Sequence, residues 1–205
     1  MDEYQDLSDS GQHPGASAAK WLTYLFYVHL AGIVVSLFSL LPVGGSLAVW
    51  FSMAVALATV ICLFRLAPGY PRYRKAACFR AAMLVVSLIH TVFSLRSPLI
   101  LVSSLCSILA VYQEYCGHGE LVRDSDAGLA RKWNQLFIWQ IVCSVLISLA
   151  TTVVSVILAL LLNSGENVPA TAAIVVQVAA KGTSLVLEAV YLVYLKRTIH
   201  LMQTY

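Results

Sequence analysis

Gln177, Lys181, Ser184, Glu188 and Tyr191 recur at intervals of four, three, four and three residues within a largely apolar stretch, Val176 to Leu195. On an α-helix that spacing draws one polar seam along one face. A carboxylate and an ammonium on an apolar helix are costly, so such groups turn toward a bundle interior or a wet cavity. Lys181 and Glu188 are ~10.5 Å apart along the axis, too far for a direct ion pair. Each is expected to meet a partner on another helix, a ligand or water. Counted back from Lys196, Glu188 lies ~12 Å and Lys181 ~22 Å from the end of the apolar run. Glu188 near mid-depth is suited to carry a proton or a cation. Lys181 is suited to bind an anion or act as a fixed counter-charge, with Gln177 and Ser184 as further ligands. Protonation or cation binding at Glu188 would bias the bundle between two packings. The competing reading is a polar network that only fixes helix packing.

Two lone histidines, His29 and His90, lie in other apolar stretches. Either could complete a relay with Glu188, because imidazole titrates near neutral pH. Either could instead bond a carbonyl or serine of the next helix; Gln140 belongs to the same class. Cys116, His118 and Glu120 place three ligand types within five residues. Zinc sites show two clear ligand pairs and this is one loose group, so no metal is assigned. Arg72, Arg74 and Lys75, beside Tyr70 and Tyr73, are suited to anionic lipid headgroups, although membrane topology alone would account for them. The chain lacks H-E-x-x-H, G-x-S-x-G, P-loop and Rossmann patterns, so no catalytic residue and no cofactor is expected.

The elements that position these groups follow from composition. Of 205 residues, 60% are hydrophobic and 11% charged, against roughly 25% charged in soluble domains. A soluble core could not absorb this much apolar sequence, and several runs approach the ~20 residues that cross a bilayer. The net charge of +3 sits in clusters between the apolar runs, which speaks of topology rather than nucleic acid. Five cysteines without a C-x-x-C pair imply no disulfide framework. Residues 1–18, with Asp2, Glu3, Asp6 and Asp9, lack the basic start of a signal peptide and read as a disordered acidic tail.

Residues 19–205 read as a single all-α domain: a polytopic integral membrane protein, a bundle of six transmembrane helices. The expected spans are about 21–41, 46–64, 76–95, 99–115, 133–162 and 170–195. Ala48, Ser52 and Ala56 offer a small-residue contact face on the second span. Arg80, one turn into the third, is expected to snorkel to the surface. Gly117 and Gly119 are expected to end the fourth, in a polar loop from Cys116 to Arg131. The fifth is ~45 Å long, so the last hairpin must tilt or stand proud of the membrane.

Lys20, Arg65, Arg72, Arg74, Lys75, Arg123, Arg131, Lys132, Lys196 and Arg197 all fall on one side of such a bundle. The opposite turns offer only Arg96 and Glu166, so the positive-inside rule gives N-in, C-in. Lys20, Lys75 and Lys132 each precede a span with Ser or Thr sixteen and nineteen residues later (Ser36/Ser39, Thr91/Ser94, Ser148/Thr151). Three helical-hairpin repeats would produce that pattern. The leading functional expectation is binding or transport of a small solute or ion. A non-transporting scaffold or accessory subunit, and an intramembrane enzyme acting on lipid around His118 and Glu120, are the alternatives. The size and six-span N-in plan are similar to those of the substrate-binding subunits of energy-coupling-factor vitamin transporters. That likeness is one of outline, without the family's alanine motif in the first span, and it implies a role as one subunit of a larger membrane complex. Expected partners are membrane lipids, a small solute or ion, and a second copy or another membrane subunit, in a bacterial cytoplasmic membrane.

Overall fold

The structure, a computed structural model, describes residues 14–38, 45–93, 99–163 and 170–204. All the regular structure among them is helical: α1 (Pro14–Phe38), α2 (Gly45–Leu66), α3 (Pro71–Phe93), α4 (Leu99–Val122), α5 (Ala127–Asn163) and α6 (Ala170–Thr204). Pro14 and Pro71 open their helices at the position where a missing N–H costs nothing. Each connection is at most six residues long, which makes consecutive helices antiparallel neighbours. The ring closes: α1 packs on α2 and α6, each later helix packs on the next, and α4 also touches α6 across the interior.

Four stretches are long and apolar enough to cross a membrane: Ser17–Phe38, Leu47–Leu66, Ala127–Ile157 and Val178–Thr204. This composition suggests a membrane protein. At the end away from the basic residues the helices stop close to the expected span limits. At the basic end five of them overrun those limits: α1 already starts at Pro14, so residues 14–18, expected in the disordered tail, are helical and Ala18 is buried. α3 starts at Pro71, α4 continues to Val122, α5 starts at Ala127 and α6 reaches Thr204. The reason is packing among the extra turns. Tyr73, Val122, Leu129 and Ile199 all lie beyond the expected spans and are buried. Gly117 and Gly119 do not end α4. A Cβ on Gly117 would stand 3.1 Å from the Tyr73 ring, and one on Gly119 would stand 3.5 Å from the Ala130 carbonyl oxygen. Gly117 instead lets α3 approach a continuous helix closely, while at Gly119 a side-chain carbon would make ordinary contact with α5.

Two four-residue turns join the helices here. Ala67–Tyr70 links α2 to α3, and the Arg65 guanidinium lies 5.5 Å from the Trp21 ring centre of α1. Arg123–Asp126 links α4 to α5. Asp126 Oδ1 accepts the Leu129 N–H at 2.8 Å, and Oδ2 accepts Arg197 Nη2 at 2.9 Å. This is a helix N-cap that also ties α6 to the turn.

Burial is uneven along the bundle. Among the described residues nothing is buried on α5 beyond Leu136, on α6 before Tyr191, on α1 beyond Leu25 or on α3 beyond Ala77. The core is a plug at the basic end, built from Leu22, Leu25, Leu63, Tyr73, Trp133 and Leu195 with their neighbours. Residues 1–13, which hold most of the acidic tail, lie outside the described residues, as do Ser39, Ser94 and the side chain of Thr91 from the repeat pattern.

The Leu129 N–H bond, helped by the Arg197 charge, holds the Asp126 carboxyl below the usual carboxylate range. A lowered folded-state pKa contributes stability above the ordinary value of about 3.9, and that contribution is lost as pH falls through the folded-state value. Asp126→Asn should therefore unfold at a lower temperature than wild type near neutral pH. The gap, followed by thermal unfolding in detergent, should narrow as pH falls below about 4. A gap that persists in acid would mean the cap does not act through its charge.

Candidate functional site

Arg80 and Glu114 stand at matching heights in the antiparallel α3–α4 hairpin. Arg80 is ~13.5 Å from the start of α3 and Glu114 ~12 Å from the end of α4. Instead of snorkelling, Arg80 turns inward and donates from Nε and Nη2 to Glu114 Oε2, at 2.9 and 2.6 Å. Glu114 has no exposed surface. Its other oxygen, Oε1, accepts the Tyr191 hydroxyl at 2.7 Å. His29 Nε2 lies 3.5 Å and His118 Nε2 3.9 Å from that same oxygen. Groups from α1, α3, α4 and α6 thus converge on one carboxylate.

The hydrogen bonds have a direction. Tyr191 has one proton and gives it to Glu114, so toward His118 Nε2, at 3.1 Å, its oxygen must accept. That places a proton on His118 Nε2. In a neutral ring Nδ1 is then the acceptor, and Tyr73 donates to it at 2.8 Å. Tyr73, His118 and Tyr191 thus all point their protons toward an ionised Glu114. The Trp133 ring lies over His118 with centroids 4.5 Å apart. Its indole N–H donates to Thr198 Oγ1 at 3.2 Å, and that hydroxyl donates to the Tyr194 carbonyl at 3.0 Å. The buried indole N–H and the buried Thr198 hydroxyl are both thereby satisfied.

A cavity of about 290 Å³ adjoins the network on the side away from the plug. Its polar lining is His29, Ser52, Thr59, Arg80, Tyr115, Gln140 and Glu188, with Tyr191 at the junction. Thr59 bonds the Val55 carbonyl of its own helix at 2.9 Å. His29 Nε2 is buried without a hydrogen-bond partner; at 3.5 Å its approach to Glu114 is electrostatic contact. Glu188 has no ion pair among the described residues and is half-buried.

The structure brings together Glu188, His29 and Gln140 at the cavity, with Tyr191 linking the α6 seam to the buried cluster. Lys181 and Ser184 are exposed and do not line it. The side chains of Gln177 and His90 lie outside the described residues. Ser52 and Ala56 line the cavity, while Ala48 is buried. Cys116 and Glu120 line a separate groove at the basic end, whereas His118 turns into the core. Among the described residues no group of three or more His, Cys, Asp or Glu side chains is placed to hold a metal ion. Of the basic loop, Arg72 lines that groove; Arg74 and Lys75 are exposed and do not. Sequence reasoning missed Glu114. The available signal was an acidic residue on an apolar helix, two turns from its end, opposite an arginine at equal height on the preceding helix. No family model matches the chain, and neither a curated protein nor a solved structure does.

Breaking a buried ion pair by removing one partner leaves the other charge uncompensated. Glu114→Gln and Arg80→Met should each lower stability by about 3–5 kcal/mol. The double substitution should cost clearly less than the sum, since no lone charge remains. Unfolding of the four proteins in detergent checks this, and strict additivity would show that the pair is not energetically coupled.

Proposed function

We propose that the chain is a six-span membrane protein that binds a small cationic or amine-bearing solute in the mid-bundle cavity, as a step in its transport. The observation that carries this reading is the cavity's lining: a carboxylate, Glu188, with no ion pair among the described residues, beside the exposed part of the His29 ring. Polar groups left unmatched in a protein interior are expensive, and in an apolar bundle ionisable groups mark solute or proton paths. Arg80 also faces the cavity, but its charge is taken by Glu114, which leaves Glu188 to set the sign. At ~30 Å³ per water, the space holds about ten waters or a solute of similar size.

The remaining two helices fit a six-span plan. α3 holds Arg72, Arg74 and Lys75 in its first turns and Arg80 deeper. Arg80 and Glu114 compensate each other inside the bundle, so the apolar parts of α3 and α4 present little net charge to lipid. The basic turns and Lys196–Arg197 share one end, which supports an N-in, C-in orientation. The plug closes the cavity toward that end, so passage would require it to loosen; an alternating-access step of this kind is usual for solute carriers. On the outer part of α5, Leu146, Leu149, Val153, Val156 and Leu160 form one exposed apolar stripe, which suits contact with lipid.

In proteoliposomes carrying a panel of amines (ammonium, choline, putrescine, lysine), at least one should bind the wild type. Glu188→Gln should weaken that binding about tenfold or more, as expected for loss of a charged hydrogen-bond partner. Lys181→Met, exposed and away from the cavity, should change it less than about twofold. Native mass spectrometry of the same variants reports co-purified solute and copy number. No binding of any amine, or binding indifferent to Glu188, would sink the reading.

A further inference from the structure

A second concavity, of about 590 Å³, lies between α3, α4 and α5 at the basic end and shares no residue with the mid-bundle cavity. Arg72, Arg123 and Arg131 line it, with Glu120 as the acidic member. Arg72 pairs with Glu120. Arg123 and Arg131 have no ion pair among the described residues. Two guanidinium groups are therefore free at one end of the groove. Along α5 the lining continues through Asn134 to Phe137 and Ile138. Ile138 is ~10.5 Å further along α5 than Arg131, in the uncharged run that follows Lys132 and continues to Asn163. The groove thus passes from a cationic mouth at the turn to an apolar wall at the depth of hydrocarbon.

We infer that this groove holds an anionic phospholipid, its phosphate between Arg123 and Arg131 and one acyl chain along Phe137 and Ile138. Arginine forks match phosphate oxygens geometrically, and basic pockets between membrane helices on the cytoplasmic side suit anionic headgroups. A free phosphate would use the arginines but leave the apolar wall unexplained. Asn134, between the two regions, is placed to bond the headgroup or ester oxygens. The inference does not depend on what the mid-bundle cavity binds.

The test uses the full chain in mild detergent, with added dioleoylphosphatidylglycerol or dioleoylphosphatidylcholine, read by native mass spectrometry and thermal unfolding. Wild type should retain the anionic lipid over the zwitterionic one by about tenfold. Arg123→Gln/Arg131→Gln should lose that preference, and the double lysine variant should keep part of it. Arg74→Gln/Lys75→Gln, equal in charge lost but outside the groove, should behave as wild type. Equal retention of the two lipids by wild type overturns the site without any variant needing to fold. So does equal loss in the Arg74/Lys75 control, which would indicate general surface charge. A thermal shift reproduced in full by inorganic phosphate would replace the lipid with a soluble anion.

Discussion

A carboxylate without exposed surface is the constraint on which the bundle turns. Glu114 must be compensated where it stands, because its hydration shell is gone. The compensation comes from every side: Arg80 on α3, Tyr191 on α6, His29 on α1, and His118 one turn along α4. α4 therefore occupies a special place in the ring, the one helix that touches α6 across the interior. A purely apolar interface tolerates rotation and sliding of one helix on another. Hydrogen bonds of 2.6 to 2.9 Å to one buried carboxylate do not. Pairing of this sort contributes little net stability against a well-packed apolar substitute. What it supplies is a single register for four helices, together with a charged group held ready beside a cavity.

The uneven burial has a separate cause. Apolar side chains gain by leaving water, but lipid is as apolar as leucine and gives helices no such reason to associate. A core built by hydrophobic burial is thus expected only where helices stand in water or at its boundary. The plug fits that rule. Its residues gather at the basic end, including turns of α3, α4, α5 and α6 that extend past the spans expected from hydropathy. Close approach between α3 and α4 there depends on Gly117 facing Tyr73. Deeper in the bundle the helices part and the cavity opens. One region supplies stability, and the other is left free to hold polar groups in unusual surroundings.

This division explains what the sequence revealed. Six helices could be read directly, since apolar runs alternate with short turns; four of the runs are membrane-length. Their limits at the basic end could not. Hydropathy reports where a helix leaves the apolar environment, whereas helix continuation depends on tertiary contacts of Tyr73, Leu129 and Ile199. The α6 seam was visible as periodicity, and two of its members, Glu188 and Tyr191, reach the cavity or the cluster. Lys181 and Ser184 share their face of the helix but lie where the bundle has opened, so the same periodicity leaves them exposed. Arg80 was misread because snorkelling is the usual fate of an arginine near a span end, and only a partner on a neighbouring helix reverses it. That partner went unread because its neighbour one turn along, His118, falls in the stretch from Cys116 that reads as a loop, so the two share no visible helix face in the sequence.

The direction of the hydrogen bonds adds a property that none of the residues has alone. With Glu114 ionised, Tyr191, His118 and Tyr73 each have their proton committed toward it. Tyr191 cannot turn its hydroxyl to His118 unless Glu114 gives up that bond, and His118 cannot change tautomer without Tyr73 reversing as well. With Glu114 ionised the chain therefore has one self-consistent polarity, and a reversal at any link leaves a buried donor or acceptor unmatched, a cost of about 1–3 kcal/mol. A charge on His29 acts on Glu114 at one end of this chain, and Tyr73 sits at the other, against Gly117 in the plug. Electrostatics in the cavity and packing at the basic end are in this way joined by four side chains, each in hydrogen-bond contact with the next.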